Sequence, residues 1–190
     1  MLVRRQQGLT LLELIIGISI MAFLMAMGMP HFTRWLQDAQ NRAAAESVMN
    51  GLQLARMESL RRNTPVRFKL TDSSGRVAWE VGCVAATTTC PATIQSRQSG
   101  EDGGNARVGV ERVIGAYGTA IVAGSNLVAS VAFDGLGRAP LAGSAEINRI
   151  DITNARLAQA RRYVVTIASG GQIRMCDPAL TFPANPQGCG

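Results

Sequence analysis

Between Leu9 and Met29 the chain is apolar for 21 residues, broken by a single charged side chain, Glu13. At the rise of an α-helix this run is roughly 31 Å long, the thickness of a bilayer's hydrocarbon core. A leader precedes it, Met1 to Gly8, with Arg4 and Arg5 and no acid. By the positive-inside rule the amino end is cytoplasmic and everything after Pro30 lies across the membrane. A carboxylate at membrane depth costs about 2.5–3.5 kcal/mol, so Glu13 is expected to have a partner or a role. An ordinary secretory signal would be cut after the apolar region, near Met25-Ala26-Met27-Gly28-Met29. The length of the run and Glu13 within it argue against that.

The helix is expected to continue past Pro30, with a kink there. Ala44, Val48, Leu52 and Ala55 follow a three-four spacing, and Arg42, Glu46, Gln53 and Arg56 fall on another face. This is an amphipathic helix to about Arg62, stopped by Asn63-Thr64-Pro65. Gly51 lies within it and reads as a close-packing site, since glycine otherwise weakens a helix.

After Pro65 the pattern is that of strands. Val66 to Leu70 alternates apolar and basic residues, Asp72-Ser73-Ser74-Gly75 is a turn, and Val77 to Val81 returns as a hairpin. Ile94 opens a short strand. Further strands are expected at Arg107 to Val113, Ala120 to Val122, Leu127 to Phe133, Ile147 to Thr153, Tyr163 to Ala168 and Gln172 to Cys176. Gly170-Gly171 turns between the last two. Asp177 to Gly190, rich in Pro and Gly, reads as irregular. About 160 residues follow the span, enough for one domain with its own core. The organisation is therefore 1–8 leader, 9–30 membrane or filament-core helix, 31–62 amphipathic helix and 63–190 β-rich head.

Cys83, Cys90, Cys176 and Cys189 all fall on the external side, where disulfides persist. Four cysteines permit three pairings. The local ones, Cys83–Cys90 and Cys176–Cys189, are favoured because each closes a short loop of turn residues. Zinc would need tight Cys pairs or histidines, and the one His, His31, lies beside the apolar run. The loop Ser99 to Asn105 carries Glu101 and Asp102, too few acids to hold calcium. No nucleophile has a base at a recognised spacing, and Gly135-Leu136-Gly137 lacks the context of a phosphate loop. The chain reads as non-catalytic, with no metal and no cofactor.

Gly8 before an apolar residue, Glu13 four residues after Leu9, the upstream arginines and Pro30 together resemble the class III signal of type IV pilins and type II secretion pseudopilins. The string Ala55-Arg56-Met57-Glu58, the pair Arg61-Arg62 and Pro65-Val66 resemble the FimT/GspH group, as does the turn Phe133 to Gly137. The resemblance implies a pilin-like α+β fold, a long amino-terminal helix packed on antiparallel sheet. It implies cleavage after Gly8 by a prepilin peptidase and N-methylation of Leu9. It gives Glu13 the role of pairing with a neighbour's terminal amine during assembly. It places the protein in the inner membrane with a periplasmic head, then in a pilus. Its partners would be other minor and major pilins, and its function would be to initiate or cap a type IV pilus. A GspH-like minor pseudopilin of type II secretion is the first alternative.

A DNA-binding minor pilin for DNA uptake is the second alternative. Some FimT-type proteins carry a Gly-Arg-x-Arg element near the carboxyl end. Gly171-Gln172-Ile173-Arg174 matches it in part, with Gln172 in place of the first Arg. Arg161, Arg162 and Arg174 are the candidate DNA-binding residues, with Arg156 nearby, since phosphate recognition needs clustered cations.

Overall fold

The computed structural model describes residues 10–101, 104–112, 115–139 and 147–189. The leader, Gly8, Leu9, Asp102 and Val113 lie outside the described residues. The chain divides into two compact units, Met1–Leu36 and Gln37–Gly190. One helix, α1 (Leu11–Arg62), contributes to both, and the expected kink at Pro30 does not end it.

In the first unit α1 is greasy on all sides, and its large side chains, Leu11, Phe23 and Met29 among them, are exposed. The segment has the length and hydropathy of a membrane span. Its start is fixed by a capping box. The Thr10 hydroxyl accepts from the Glu13 amide at 3.2 Å, while the Thr10 amide donates to Glu13 Oε2 at 3.3 Å.

In the second unit α1 buries one stripe: Ala44, Ala45, Val48, Leu52 and Ala55, with Asn41 and Ser59 at its ends. This is the stripe that the three-four spacing marks out. Gly51 lies on it because a methyl group there would stand 2.9 Å from the Phe68 ring and 3.1 Å from Trp79. The Trp79 indole donates to Ser47 Oγ at 3.0 Å, so its one polar atom is satisfied inside the core.

Among the described residues, nine strands form two sheets. They are β1 (Val66–Leu70), β2 (Trp79–Cys83), β3 (Gln95–Arg97), β4 (Ala106–Glu111), β5 (Ser130–Phe133), β6 (Arg149–Asn154), β7 (Tyr163–Ile167), β8 (Ile173–Thr181) and β9 (Gly188–Cys189). The first sheet runs β3-β2-β1-β5 and is antiparallel throughout. The second runs β4-β6-β7-β8-β9, antiparallel except for the last pair. Val66, Phe68 and Leu70 of β1 face the core, with Ile150 and Ile152 of β6 and Val165 of β7. Cys83 is bonded to Cys90, and Cys176 to Cys189.

Three expectations are corrected. Ala120 to Val122 is not a strand; the backbone amide of Ile121 instead donates to the buried Asp151 carboxylate at 3.1 Å. The strand expected from Leu127 begins only at Ser130. The carboxyl-terminal segment is not wholly irregular, because β8 extends to Thr181 and pairs in parallel with β9. Pro178 sits within β8 where the ladder to β9 is broken, between Asp177 and Thr181, so its missing N–H costs no bond there.

Candidate functional site

Glu13 is the one charged residue of the apolar run, and it sits in the first turn of α1. Its Oε2 also accepts from Thr10 Oγ1 at 3.2 Å. The carboxylate thus closes the helix start and faces outward on an exposed turn. Gly8 and Leu9, the expected processing residues, lie outside the described residues.

The three arginines chosen for nucleic acid each have partners inside the chain. Arg161 pairs through Nε with Asp177, and its backbone amide donates to Asp38 Oδ1 at 2.6 Å. Arg162 donates to Asp151 Oδ2 at 2.5 Å, to the Thr119 carbonyl at 3.0 Å and to the Tyr117 carbonyl. Arg174 donates to the carbonyls of Gly188, at 2.8 Å, and Pro186, at 3.2 Å, and lies 4.8 Å from the Phe182 ring centre. β7 and β8 do pair, and the register sets Arg174 opposite Thr166, four residues along the chain from Arg162. The structure gives each of the three a separate bonding task.

Sequence reading missed the centre of this region. Arg149 and Asp151 alternate with Ile150 and Ile152 on β6, which reads as a strand with one wet face. Both faces are buried. The segment from Ala116 to Ile121 lies over the charged face, held by Arg149 through the carbonyls of Ala116, at 3.1 Å, and Thr119, at 2.9 Å. Glu111 adds a longer contact to Arg149 at 3.5 Å. The nearest signal in the sequence is Gly109, which stands opposite Asp151 on β4. A side chain there would meet the Val122 carbonyl at 2.4 Å.

Two surface turns are fixed by aspartates, the first by Asp72, whose Oδ1 accepts from the Ser74 amide at 2.7 Å. The Asp134 carboxylate accepts from the backbone amides of Arg138, at 2.8 Å, and Leu136, at 3.0 Å, and from Arg138 Nε at 2.9 Å. These bonds, that to the Arg138 amide first, hold its carboxyl below the usual range. The turn locks onto the helix end. Arg56 Nε donates to the Gly137 carbonyl at 3.1 Å, and Gly137, at φ 71°, packs on Leu60. The helix-end string and the Phe-Asp-x-x-Gly turn are therefore one junction. Among the described residues, no group of three His, Cys, Asp or Glu could hold a metal.

Residues 44–171 match the model of the family described as type II transport protein GspH. The chain belongs to the GspH family. Residues 3–29 also match the prokaryotic N-terminal methylation motif. No curated protein is a significant match. Among solved structures, the chain is similar to the type IV minor pilin FimU of Pseudomonas aeruginosa (strain PAO1) in space group P21. The TM-score is 0.51 at 18% identity, over 78% of this chain and 94% of that one. The same FimU in space group P65 gives 0.48 at 17% identity, over 78% and 99%. At such identity the first likeness is one of fold. Family and motif together make this GspH-family chain a minor pilin or pseudopilin, with an apolar amino-terminal helix suited to anchoring in a membrane.

Proposed function

We propose that the protein is a minor pilin of a type IV pilus, a non-catalytic subunit that helps to initiate or cap the filament. Residues 1–8 are a leader removed by prepilin peptidase, and Leu9 becomes the methylated amino terminus. Residues 9–30 anchor the chain singly in the inner membrane and later in the filament core. Residues 31–62 carry the periplasmic head, 63–190, which meets other pilins. The observation that carries this reading is the change in α1 along its length. Its first half exposes large apolar side chains on every side, which only lipid or neighbouring subunits can cover, while its second half buries one stripe in a β-rich core.

Glu13 has two candidate roles that one pair of variants separates. Glutamine can replace glutamate in a capping box, but it cannot pair as a charge with a terminal amine. Glu13→Gln and Glu13→Ala should both insert into the membrane, and both should fail to enter filaments. Rescue of filament entry by Glu13→Gln would make capping the whole role of Glu13.

The family description favours a second reading, a minor pseudopilin of type II secretion. A deletion strain separates the two. Loss of surface pili with normal secretion supports the pilus; the reverse supports the secretion filament.

A further inference from the structure

The second sheet ends at β9, but β9 covers only the far part of β8. The Ala168 amide bonds to the Gln172 carbonyl at 2.9 Å, and the ladder runs on with Arg174 opposite Thr166 and Cys176 opposite Val164. In an antiparallel pair every second residue turns its amide and carbonyl towards the partner strand. Arg174 and Cys176 therefore face β7, while Ile173, Met175 and Asp177 turn their polar groups outward. The Asp177 amide meets the Gln187 carbonyl at 2.7 Å, where pairing with β9 begins. Upstream of Gln187 the chain folds back, through bonds from the Gly188 amide to the Asn185 carbonyl and from the Asn185 amide to the Thr181 carbonyl, both 2.9 Å. Among the described residues, no strand lies beside Ile173 and Met175, and their outward amides and carbonyls bond to nothing. This is a length of open sheet edge.

A hollow of about 100 Å³ adjoins it, with Arg42, Arg161, Tyr163, Met175 and Gln187 in its lining. Met175 stands opposite Val165, and Tyr163 is two residues before Val165, so Tyr163 and Met175 share one face of the sheet. Tyr163 is only 8% exposed, yet its hydroxyl has no hydrogen-bond partner among the described residues. A buried tyrosine hydroxyl usually has one. Burial, the largest influence, pushes that hydroxyl above its ordinary pKa, so it stays a donor at neutral pH. Arg42 and Arg161 spend Nε on Glu46 and Asp177, and their terminal nitrogens bond to nothing among the described residues. Three side chains of the hollow therefore have donors to spare.

We propose that an extended segment of a different subunit adds to β8 beside Ile173 and Met175 and sets an acidic side chain in this hollow. The edge and the hollow select the occupant together. Outward amides and carbonyls at strand spacing match a polypeptide backbone, which neither free phosphate nor nucleic acid supplies. A residue placed opposite Met175 shares its side of the sheet, so its side chain enters the hollow. A carboxylate there accepts from the phenol and the guanidinium groups. A second copy offering the same edge fits poorly. Two-fold pairing of Ile173 with Met175 would set Arg174 directly against its own copy, at the closer kind of cross-strand pair, and like charges so placed repel. It would also send Ile173, which has no acceptor, into the hollow. The proposal rests on the reading of the chain as an assembly subunit and adds where and how a partner docks.

The test uses the full chain in detergent micelles and the fluorescent peptide Thr-Val-Thr-Glu-Thr-Val-Thr. One comparison peptide has Leu for Glu. Another is N-methylated at Glu and at both Val residues, which removes the amides that face the edge. The Glu peptide should bind, and both comparisons should bind at least about tenfold more weakly. Tyr163→Phe removes the hydroxyl and no bond within the fold, and should weaken the Glu peptide by about tenfold while leaving the Leu peptide unchanged. Met175→Pro removes an outward amide and no bond to β7, and should abolish binding. Should that variant fail to melt cooperatively, Tyr163→Phe decides. No binding of the Glu peptide, or no effect of Tyr163→Phe, would overturn the proposal. Equal binding of the N-methylated peptide would overturn it in favour of a bare anion site. A dimer of the chain alone, seen by sedimentation and lost in Met175→Pro, would overturn it in favour of a second copy. The amino terminus of each sample is read alongside. Correct processing without peptide binding defeats only the docking edge, whereas a wrong terminus defeats the assembly reading beneath it.

Discussion

Arg149 and Asp151 stand two residues apart on β6 and hold each other by two bonds, Nε to Oδ1 at 2.7 Å and Nη2 to Oδ2 at 2.9 Å. Their side chains are 2% and 0% exposed. Burying two charges is costly, and the pair is tolerated because the remaining atoms are also satisfied. Arg162 and the Ile121 amide both donate to Asp151 Oδ2, while backbone carbonyls and the Tyr117 ring take the Arg149 guanidinium. The network ties the segment 116–121 to the second sheet in one arrangement.

Removing one member leaves the other buried and charged. Asp151→Ala should cost about 3–5 kcal/mol of unfolding free energy. Urea unfolding of the full chain in micelles measures it. A loss of less than about 1 kcal/mol, the size of an exposed ion pair, would mean that water reaches the site.

Gly51→Ala sets two effects against each other. Alanine gains about 1 kcal/mol of helix propensity, while overpacking against the Phe68 and Trp79 rings costs about 1–3 kcal/mol. With the nearer ring atom 2.9 Å from the new methyl group, overpacking wins. A net loss of about 1 kcal/mol is expected from the same unfolding measurement. A gain would show that the rings yield freely.

The carboxyl-side arginines should matter to the fold before they matter to any ligand. Arg162→Ala removes a partner of Asp151 and should cost roughly 2–4 kcal/mol, close to the effect of breaking a buried pair. Arg161→Ala leaves Asp177 buried but removes only a half-exposed arginine, so its cost should be smaller. Melting curves of the two variants test the order. Unchanged melting in both, with loss of salt-dependent duplex binding, would restore the nucleic-acid role.

Much of this architecture is written in local patterns. The stripe Ala44, Val48, Leu52 and Ala55 is legible because a helix core face repeats every three to four residues. The alternation in Val66 to Leu70 is legible for the analogous reason in a strand. Arg149 and Asp151 are not, because alternating charge on a strand looks the same whether water or a loop covers it. What covers it here comes from residues 116–121, about 30 positions away, and no local period records that contact. The end of β8 is hidden for a different reason. Pro178 argues against a strand by composition, and only the break in the β9 ladder shows why it is tolerated.

Acid should loosen two turns first. Hydrogen bonds from Ser74, the hydroxyl first, lower the Asp72 carboxyl, and those from Arg138 and Leu136 lower that of Asp134. A carboxyl held lower in the folded state stabilises the fold above its unfolded value, about 4. That contribution is present at neutral pH and is lost as pH falls below about 4, through the depressed folded values. Amide exchange at Ser74, Arg76, Leu136 and Arg138 should quicken in that range ahead of β6. Unchanged exchange at these amides would mean that the turns are held by their backbone alone.

The most direct test of the whole account is the intact mass and amino-terminal sequence of the protein recovered from membranes. A chain beginning at Leu9, heavier by one methyl group, is the predicted result. It would place Glu13 at the fifth position of an apolar helix with a free amine at its tip. A chain beginning after Ala26 would mean cleavage by an ordinary signal peptidase, with both Glu13 and the membrane helix discarded, and would contradict the assignment to a filament.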